Sequence, residues 1–201
     1  EFGQGQAGQR PTDVGSAIST GMLGWGARMD GEPIINFDGV MRPYAPNPNR
    51  IKEFYRDGLV FTNTVALSGG GDKGNFRASI SDANARGITP APDNRYTKRI
   101  FNLGLNQNLA KGLSFSFNVN YTKENNENPP QVGAQGPGAP NFLTRMSTCI
   151  PIAAYRESAV AENGTERQTS GFQGTLLNPY FAKGREFILN ERDRFLGTAT
   201  L

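Results

Sequence analysis

From Lys111 to Lys123 the chain reads KGLSFSFNVNYTK, with Leu113, Phe115, Phe117, Val119 and Tyr121 at the odd positions and Ser114, Ser116, Asn118, Asn120 and Thr122 at the even ones. Successive side chains of a β-strand point to opposite sides, so this alternation predicts a strand with one apolar face and one uncharged polar face. The same pattern recurs upstream. Leu59, Phe61, Val65 and Leu67 share a face that Asn63 interrupts, opposite Thr62, Thr64 and Ser68. Phe76, Ala78 and Ile80 alternate with Arg77, Ser79 and Ser81, and Phe101, Leu103, Leu105 and Leu109 alternate with Asn102, Gly104, Asn106 and Asn108. At 193–201, DRFLGTATL begins a fifth strand with Phe195, Ala199 and Leu201 on one face.

The connections predict how these strands are joined. GGGDKG and AKG are short reversals, whereas ARGITPAPDN at 85–94 is a longer Gly/Pro loop that ends its strand near Asn84. A much longer excursion, opening with ENNENPPQVGAQGPGAP, separates the fourth strand from the fifth; within it NFLTRMSTC suggests one or two helical turns before Pro151. Residues 1–58 show no sustained period and read as an elaborated loop region, with a short helix at NRIKEFYR capped by Asn49 and closed by Gly58. The predicted organisation is therefore loop over 1–58, two hairpins over 59–123, a long loop over 124–192 and a strand from 193. Strand parity puts the short turns at one end of the sheet and the long connections at the other.

Two architectures put a wholly apolar face opposite a Ser/Asn/Thr face. A soluble sandwich or lipocalin-like barrel buries the apolar face in a core. A transmembrane β-barrel turns it toward lipid, with short turns on one side and long loops on the other. Strands of about nine to eleven residues, tilted, cover a bilayer core. The polar positions of the third and fourth strands carry no charge, which suits a wet lumen better than a solvated outer surface. Tyr96 and Tyr121 fall toward the long-loop ends, where an aromatic girdle is expected. The fold class expected is all-β: part of a large antiparallel transmembrane barrel with long external loops.

Composition narrows the chemistry. Hydrophobic residues make up 36%, with Gly 25 and Pro 13, which disfavours a helical bundle. A formal charge of +3 without a Lys/Arg block gives no footprint for nucleic acid. The chain has no His, which removes the ordinary catalytic triad and the commonest transition-metal ligand, and its single cysteine, Cys149, allows no intrachain disulfide. GGGDKG lacks the spacing of a phosphate-binding loop, and a strand follows it. The acidic stretches DAN at 82–84 and ENNENP at 124–129 offer oxygen ligands that could hold calcium, without an EF-hand pattern. No catalytic or metal-binding residue stands out, and the expected role is non-enzymatic.

Several stretches resemble the SusC/RagA family of TonB-dependent outer-membrane transporters of Bacteroidetes. GQG near the start and WGARMDG at 25–31 are similar to a Gly-Gln-Gly and a Trp-Gly-Pro-x-x-Asp-Gly pattern of that family, with Ala27 departing from its Pro. The run from Asn49 to Lys123, with its Ser-Gly-Gly turn and Gly-Ile-x-Pro segment, resembles the family's first membrane hairpins. NPYF at 178–181 followed by RDRFLG at 192–197 resembles a further segment. The resemblance implies a 22-stranded barrel with an internal plug, located in the outer membrane and importing oligosaccharides or peptides. TonB energises such importers, a SusD-like surface lipoprotein caps them, and they assemble as dimers of such pairs among membrane lipid and lipopolysaccharide. This chain is then expected to be an early part of the barrel, without plug or TonB-contacting residues.

On that reading Leu59, Phe61, Val65, Leu67, Phe76, Ile80, Phe101, Leu103, Leu105, Leu113, Phe115, Phe117, Val119 and Tyr121 face lipid. Asn102, Asn106, Ser114, Ser116, Asn118 and Asn120 face the lumen. Trp25, Tyr44, Tyr155 and Tyr180 lie in external loops, where they either meet substrate or lid or anchor the loops on one another. A secreted or surface β-sandwich for binding or adhesion, and a passive porin, are the alternatives.

Overall fold

The computed structural model describes residues 1–130, 139–171 and 176–201, so 131–138 and 172–175 of the predicted long loop lie outside the described residues. Along the chain run α1 (Val14–Ser19), β1 (Pro33–Ile35), β2 (Met41–Pro43), α2 (Arg50–Phe54), β3 (Leu59–Gly71), β4 (Gly74–Pro90), β5 (Asp93–Ala110), β6 (Leu113–Glu127), α3 (Ala139–Arg145), α4 (Ile152–Glu157), α5 (Pro179–Ala182) and β7 (Leu189–Thr200). The protein is mostly antiparallel β-sheet with a few short helices. It divides into a helical unit (Glu1–Arg56, Thr89–Asp93, Pro130–Phe187) and a sheet unit (Asp57–Ile88, Asn94–Pro129, Ile188–Leu201).

The sheet unit is a five-stranded meander in the order β3-β4-β5-β6-β7. Its register brings like residues together. Leu103 lies opposite Val119 and Leu105 opposite Phe117, while Asn102 lies opposite Asn120 and Asn106 opposite Ser116. Tyr121 then faces Phe195, and Phe117 faces Ala199. Because the side-chain period is two, a slip of one residue would exchange the faces of a whole strand.

The strands exceed the predicted length: β4 has 17 residues and β5 has 18. ARGITPAPDN is not a loop but strand up to Pro90, reversing at Ala91–Pro92. Its Gly87 marks a close approach, since a Cβ there would collide with the Asn94 side chain. That side chain in turn donates to the carbonyls of Glu127 (3.0 Å) and Asn128 (2.9 Å). In GGGDKG the glycines belong to strands, Gly69, Gly70 and Gly71 to β3 and Gly74 to β4, rather than to the turn, which is Asp72–Lys73. Gly69 makes room for the Phe76 ring opposite it. The β5–β6 turn does need its glycine, with Gly112 at φ 80°. The fifth strand begins at Leu189, ahead of the predicted 193, because Leu189–Arg192 continue the ladder against Glu124–Glu127.

The helical unit replaces what reads as loop with a packed core of Ile34, Phe37, Tyr44, Phe54, Phe142, Leu143, Ile150 and Tyr155. GQG and WGARMDG pair here through Gly3 N–H to the Ala27 carbonyl (3.2 Å) and Gly26 N–H to the Gly3 carbonyl (3.1 Å). Tyr44 pins both segments, its hydroxyl donating to the carbonyls of Gln4 (2.8 Å) and Ala27 (3.0 Å). A Cβ at Gly26 would strike the Gln4 carbonyl and the Tyr44 hydroxyl, so the tight pairing requires glycine. α2 ends at Phe54 with Tyr55 as its C-cap, not at Gly58, and the Asn49 side chain makes no capping bond.

Arg50 of α2 is buried and has no carboxylate partner among the described residues. Its guanidinium donates to the carbonyls of Leu143 (2.8 Å), Met146 (2.5 Å) and Ser147 (2.7 Å), at and just beyond the C-terminal end of α3. Burial lowers its pKa, yet the exposed carbonyls of a helix end are a suitable partner for a cation. Arg50→Leu should cost about 2–4 kcal/mol by leaving three carbonyls without this donor. Thermal melting followed by near-UV circular dichroism, with the exposed Lys52→Ala as control, measures that loss.

Asp38, in the β1–β2 connection, is forked by Arg42 (2.7 and 2.6 Å) and accepts from the Val40 N–H (3.2 Å) and the Ser158 hydroxyl (3.0 Å). Burial pushes this carboxyl up, but Arg42 and the other donors outweigh it and leave the pKa below the ordinary value. Its stabilising contribution is therefore present above the unfolded pKa of about 4 and lost as pH falls through the lower folded value. Asp38→Asn should lower the melting temperature at neutral pH and show a smaller further drop than wild type between about pH 5 and pH 3.

Candidate functional site

The polar face of the sheet is laced by side-chain hydrogen bonds that cross the strands. Asn106 donates to Asn75 (3.0 Å) and accepts from Ser116 (2.9 Å), linking β4, β5 and β6. A second row runs from Ser79 to Asn102 (3.3 Å) to Asn120 (2.6 Å) and on to Thr122 (3.2 Å). An amide carries both donors and acceptors, so each Asn can bond to both flanking strands. These rows border a hollow of about 820 Å³ whose lining includes Arg77, Gly104, Asn118 and Thr198. Gly104 deepens it, since a Cβ there would press on the Asn118 amide oxygen. Ser114 lies on the same face, opposite Asn108 near the β5–β6 turn. All six residues predicted for the lumen thus share one face.

The opposite face carries every residue predicted to meet lipid. Val65 is 69% exposed, Leu67 65% and Phe61 61%, with Leu59, Phe76, Ile80, Phe101, Leu113 and Tyr121 also exposed. Leu103, Leu105, Phe115, Phe117 and Val119 are half-buried by their neighbours, the two phenylalanine rings stacking at 6.4 Å. Farther from the turns at Asp72–Lys73 and Lys111–Gly112 a row of charge crosses this face, with Leu59 and Phe61 of β3 lying beyond it. Asp82 accepts from Arg99 (3.1 Å), and Lys123 sits opposite Asp193, which accepts from the Tyr121 hydroxyl (2.5 Å). Asn63 interrupts the pattern of β3 because it lies opposite Asp82, in that charged row.

Tyr96 departs from its predicted place. It is on the polar face, donating to Glu124 (3.0 Å), which also pairs with Lys98 (3.2 Å) and Arg192 (3.6 Å). The two acidic stretches considered for calcium are in strands β4 and β6 rather than loops. Asp82 and Glu124 are both engaged by cations, and among the described residues no three His, Cys, Asp or Glu side chains group together.

The four loop aromatics divide. Tyr44 and Tyr155 are fully buried, Tyr155 stacking on Phe37 at 5.2 Å and meeting Phe142 edge-on at 5.0 Å, while burial raises the pKa of its phenol. These two anchor the helical unit. Trp25 is 78% exposed. Tyr180 is half-buried and stands edge-on over Phe54 at 5.6 Å, as Tyr55 does at 5.1 Å. Asn178 sets its position: the Asn178 side chain accepts from the Tyr180 N–H (3.0 Å) and donates to the Tyr155 carbonyl (2.9 Å), with Pro179 opening α5. Tyr180 and Tyr55 border a second hollow, of about 450 Å³, with Arg56, Arg156, Lys183 and Pro90. Burial raises both phenol pKa values, so both rings remain neutral donors at physiological pH.

Arg77 was legible as a polar-face residue from its place between Phe76 and Ala78, yet only the hollow gives it a role. Tyr55, Arg156 and Lys183 carry no periodic signal and become neighbours through packing of α2, α4 and α5. The chain matches no family model, and no curated protein is significantly similar to it. Among the described residues no helix is long and apolar enough to cross a membrane, which leaves strands untouched.

Asn102→Leu should break the second cross-strand row at its centre. About 1 kcal/mol per lost hydrogen bond is expected, with faster amide exchange in β5 and β6 than in wild type. Unchanged exchange would mean that the side-chain row does not hold these strands together.

Proposed function

We propose that this chain is part of the wall of an outer-membrane β-barrel that actively imports oligosaccharides or peptides, of the SusC/RagA kind. The observation that carries the reading is the opposition of faces. An exposed apolar band starts near the turns at Asp72–Lys73 and Lys111–Gly112 and is crossed farther along by a charged row. Behind it lies a face of Asn, Ser, Thr and Gly. On β6 the band runs from Leu113 to Tyr121, about nine residues at ~3.3 Å each, which when tilted approaches the ~25 Å apolar height of such barrels. A soluble sandwich would cover this face with a second sheet, and an exposed apolar patch of this extent marks an interaction with lipid or protein.

The open edges of β3 and β7 fit a larger closed sheet, since in lipid an edge strand cannot leave its backbone groups unpaired. The amide rows would face the lumen, where neutral polar groups satisfy each other and water. TonB, an internal plug and a SusD-like lipoprotein lid would provide force and capture, with pairs assembling as dimers. Each of those partners follows from the resemblance of GQG, WGARMDG and NPYF to the family.

Phe117→Arg puts a charge in the apolar band and should cost about 2–4 kcal/mol near mid-membrane. The native polypeptide should fold in detergent and migrate differently boiled and unboiled on a denaturing gel, with the variant losing the shift at lower temperature. A native polypeptide that folds in water without detergent and shows no shift would overturn the membrane reading. Uptake that persists without TonB would instead make it a passive pore.

A further inference from the structure

We propose that the hollow bordered by Tyr55 and Tyr180 binds an acidic saccharide, a chain of sugars bearing carboxylates such as uronate units. The buried ring of Phe54 forms its floor, and the two tyrosine rings meet it edge-on at interplanar angles of 89° and 70°. Two aromatic walls and Pro90 give flat apolar surfaces of the kind that pack on the C–H faces of a pyranose ring. Neither tyrosine hydroxyl has a hydrogen-bond partner among the described residues, and neutral phenols can donate to and accept from sugar hydroxyls.

Charge selects the acidic sugar. Arg156 and Lys183 stand at the hollow with Arg56, which pairs with Asp93; Glu53 supplies a carboxylate. Arg156 touches Glu157 only at 3.6 Å with both side chains largely exposed, and Lys183 has no ion pair among the described residues. Among the lining residues the three cations stand against the single carboxylate of Glu53, while Asp93 on Arg56 and the exposed Glu157 near Arg156 lie outside the lining. A guanidinium and an ammonium flanking two aromatic rings suit a ligand that alternates rings with carboxylates. An acidic peptide would satisfy the cations but not the two aromatic walls.

The inference rests on the importer reading for its purpose, while its chemistry belongs to the helical unit alone. The native full-length protein in detergent should bind tetragalacturonate in titration calorimetry, and maltotetraose more weakly. The double variant R156Q/K183Q should weaken tetragalacturonate binding about tenfold or more for each cation lost and leave maltotetraose unchanged. Tyr180→Phe keeps the ring and loses the hydroxyl, so it should weaken both sugars. The proposal is overturned if tetragalacturonate does not bind, if the double variant binds it as well as wild type, or if tetraglutamate binds more tightly. Boiled and unboiled mobility of the same preparation separates the two ideas. A shift without binding removes the sugar site and keeps the barrel; binding without a shift keeps the site and removes the barrel.

Discussion

Everything in the sheet unit depends on register. The two-residue period of a strand makes each strand two-faced, but only pairing in phase makes the sheet two-faced. Four strands, β3 to β6, keep that phase through two-residue turns at Asp72–Lys73, Ala91–Pro92 and Lys111–Gly112, and β7 joins in register with β6 after the long excursion. Cross-strand amide bonds from Asn102 and Asn106 reinforce it on one side. On the other side the Asp82–Arg99 pair and the Lys123–Asp193 juxtaposition cross the apolar face. A hydrophobic band and a polar hollow are then two consequences of one alignment.

The helical unit is ordered by a different means. Its segments come from distant parts of the chain and have little regular structure, so their backbone groups need partners that periodic ladders do not supply. Buried polar side chains provide them. Tyr44 bonds the carbonyls that join GQG to WGARMDG, Arg50 caps the end of α3, and Asn178 joins α5 to α4. Such hubs fix geometry more than they add stability, because a satisfied buried polar group roughly recovers what its desolvation costs. Their geometry places Tyr55 and Tyr180 on the Phe54 ring, and so shapes a hollow that local sequence does not announce.

The two units suggest a division of labour. Neutral amides on the sheet present a weakly interacting polar surface, suited to the wet interior of a large barrel. Aromatic rings beside cations in the helical unit present a surface with stronger preferences. The importer proposed above would use both kinds, since passage is hindered by tight binding along a wall while selection requires it somewhere.

By itself the sequence determined the strands and their faces, because alternation is a local property that burial and pairing only have to respect. Leu113 through Tyr121, and Asn102 with Asn106, could be assigned to opposite faces without coordinates. What the sequence did not determine were strand ends and the packing of irregular segments. Glycine and proline in ARGITPAPDN signal a loop, yet Gly87 is there to admit the Asn94 side chain, a contact visible only when both strands are in place. Tyr44, Tyr155 and Tyr180 look alike as loop aromatics, and only the tertiary structure decides that the first two are buried anchors and the third borders a hollow. The physical reason is the same in each case: periodicity reports which side of its own strand a residue occupies, whereas burial depends on what distant segments bring to that side.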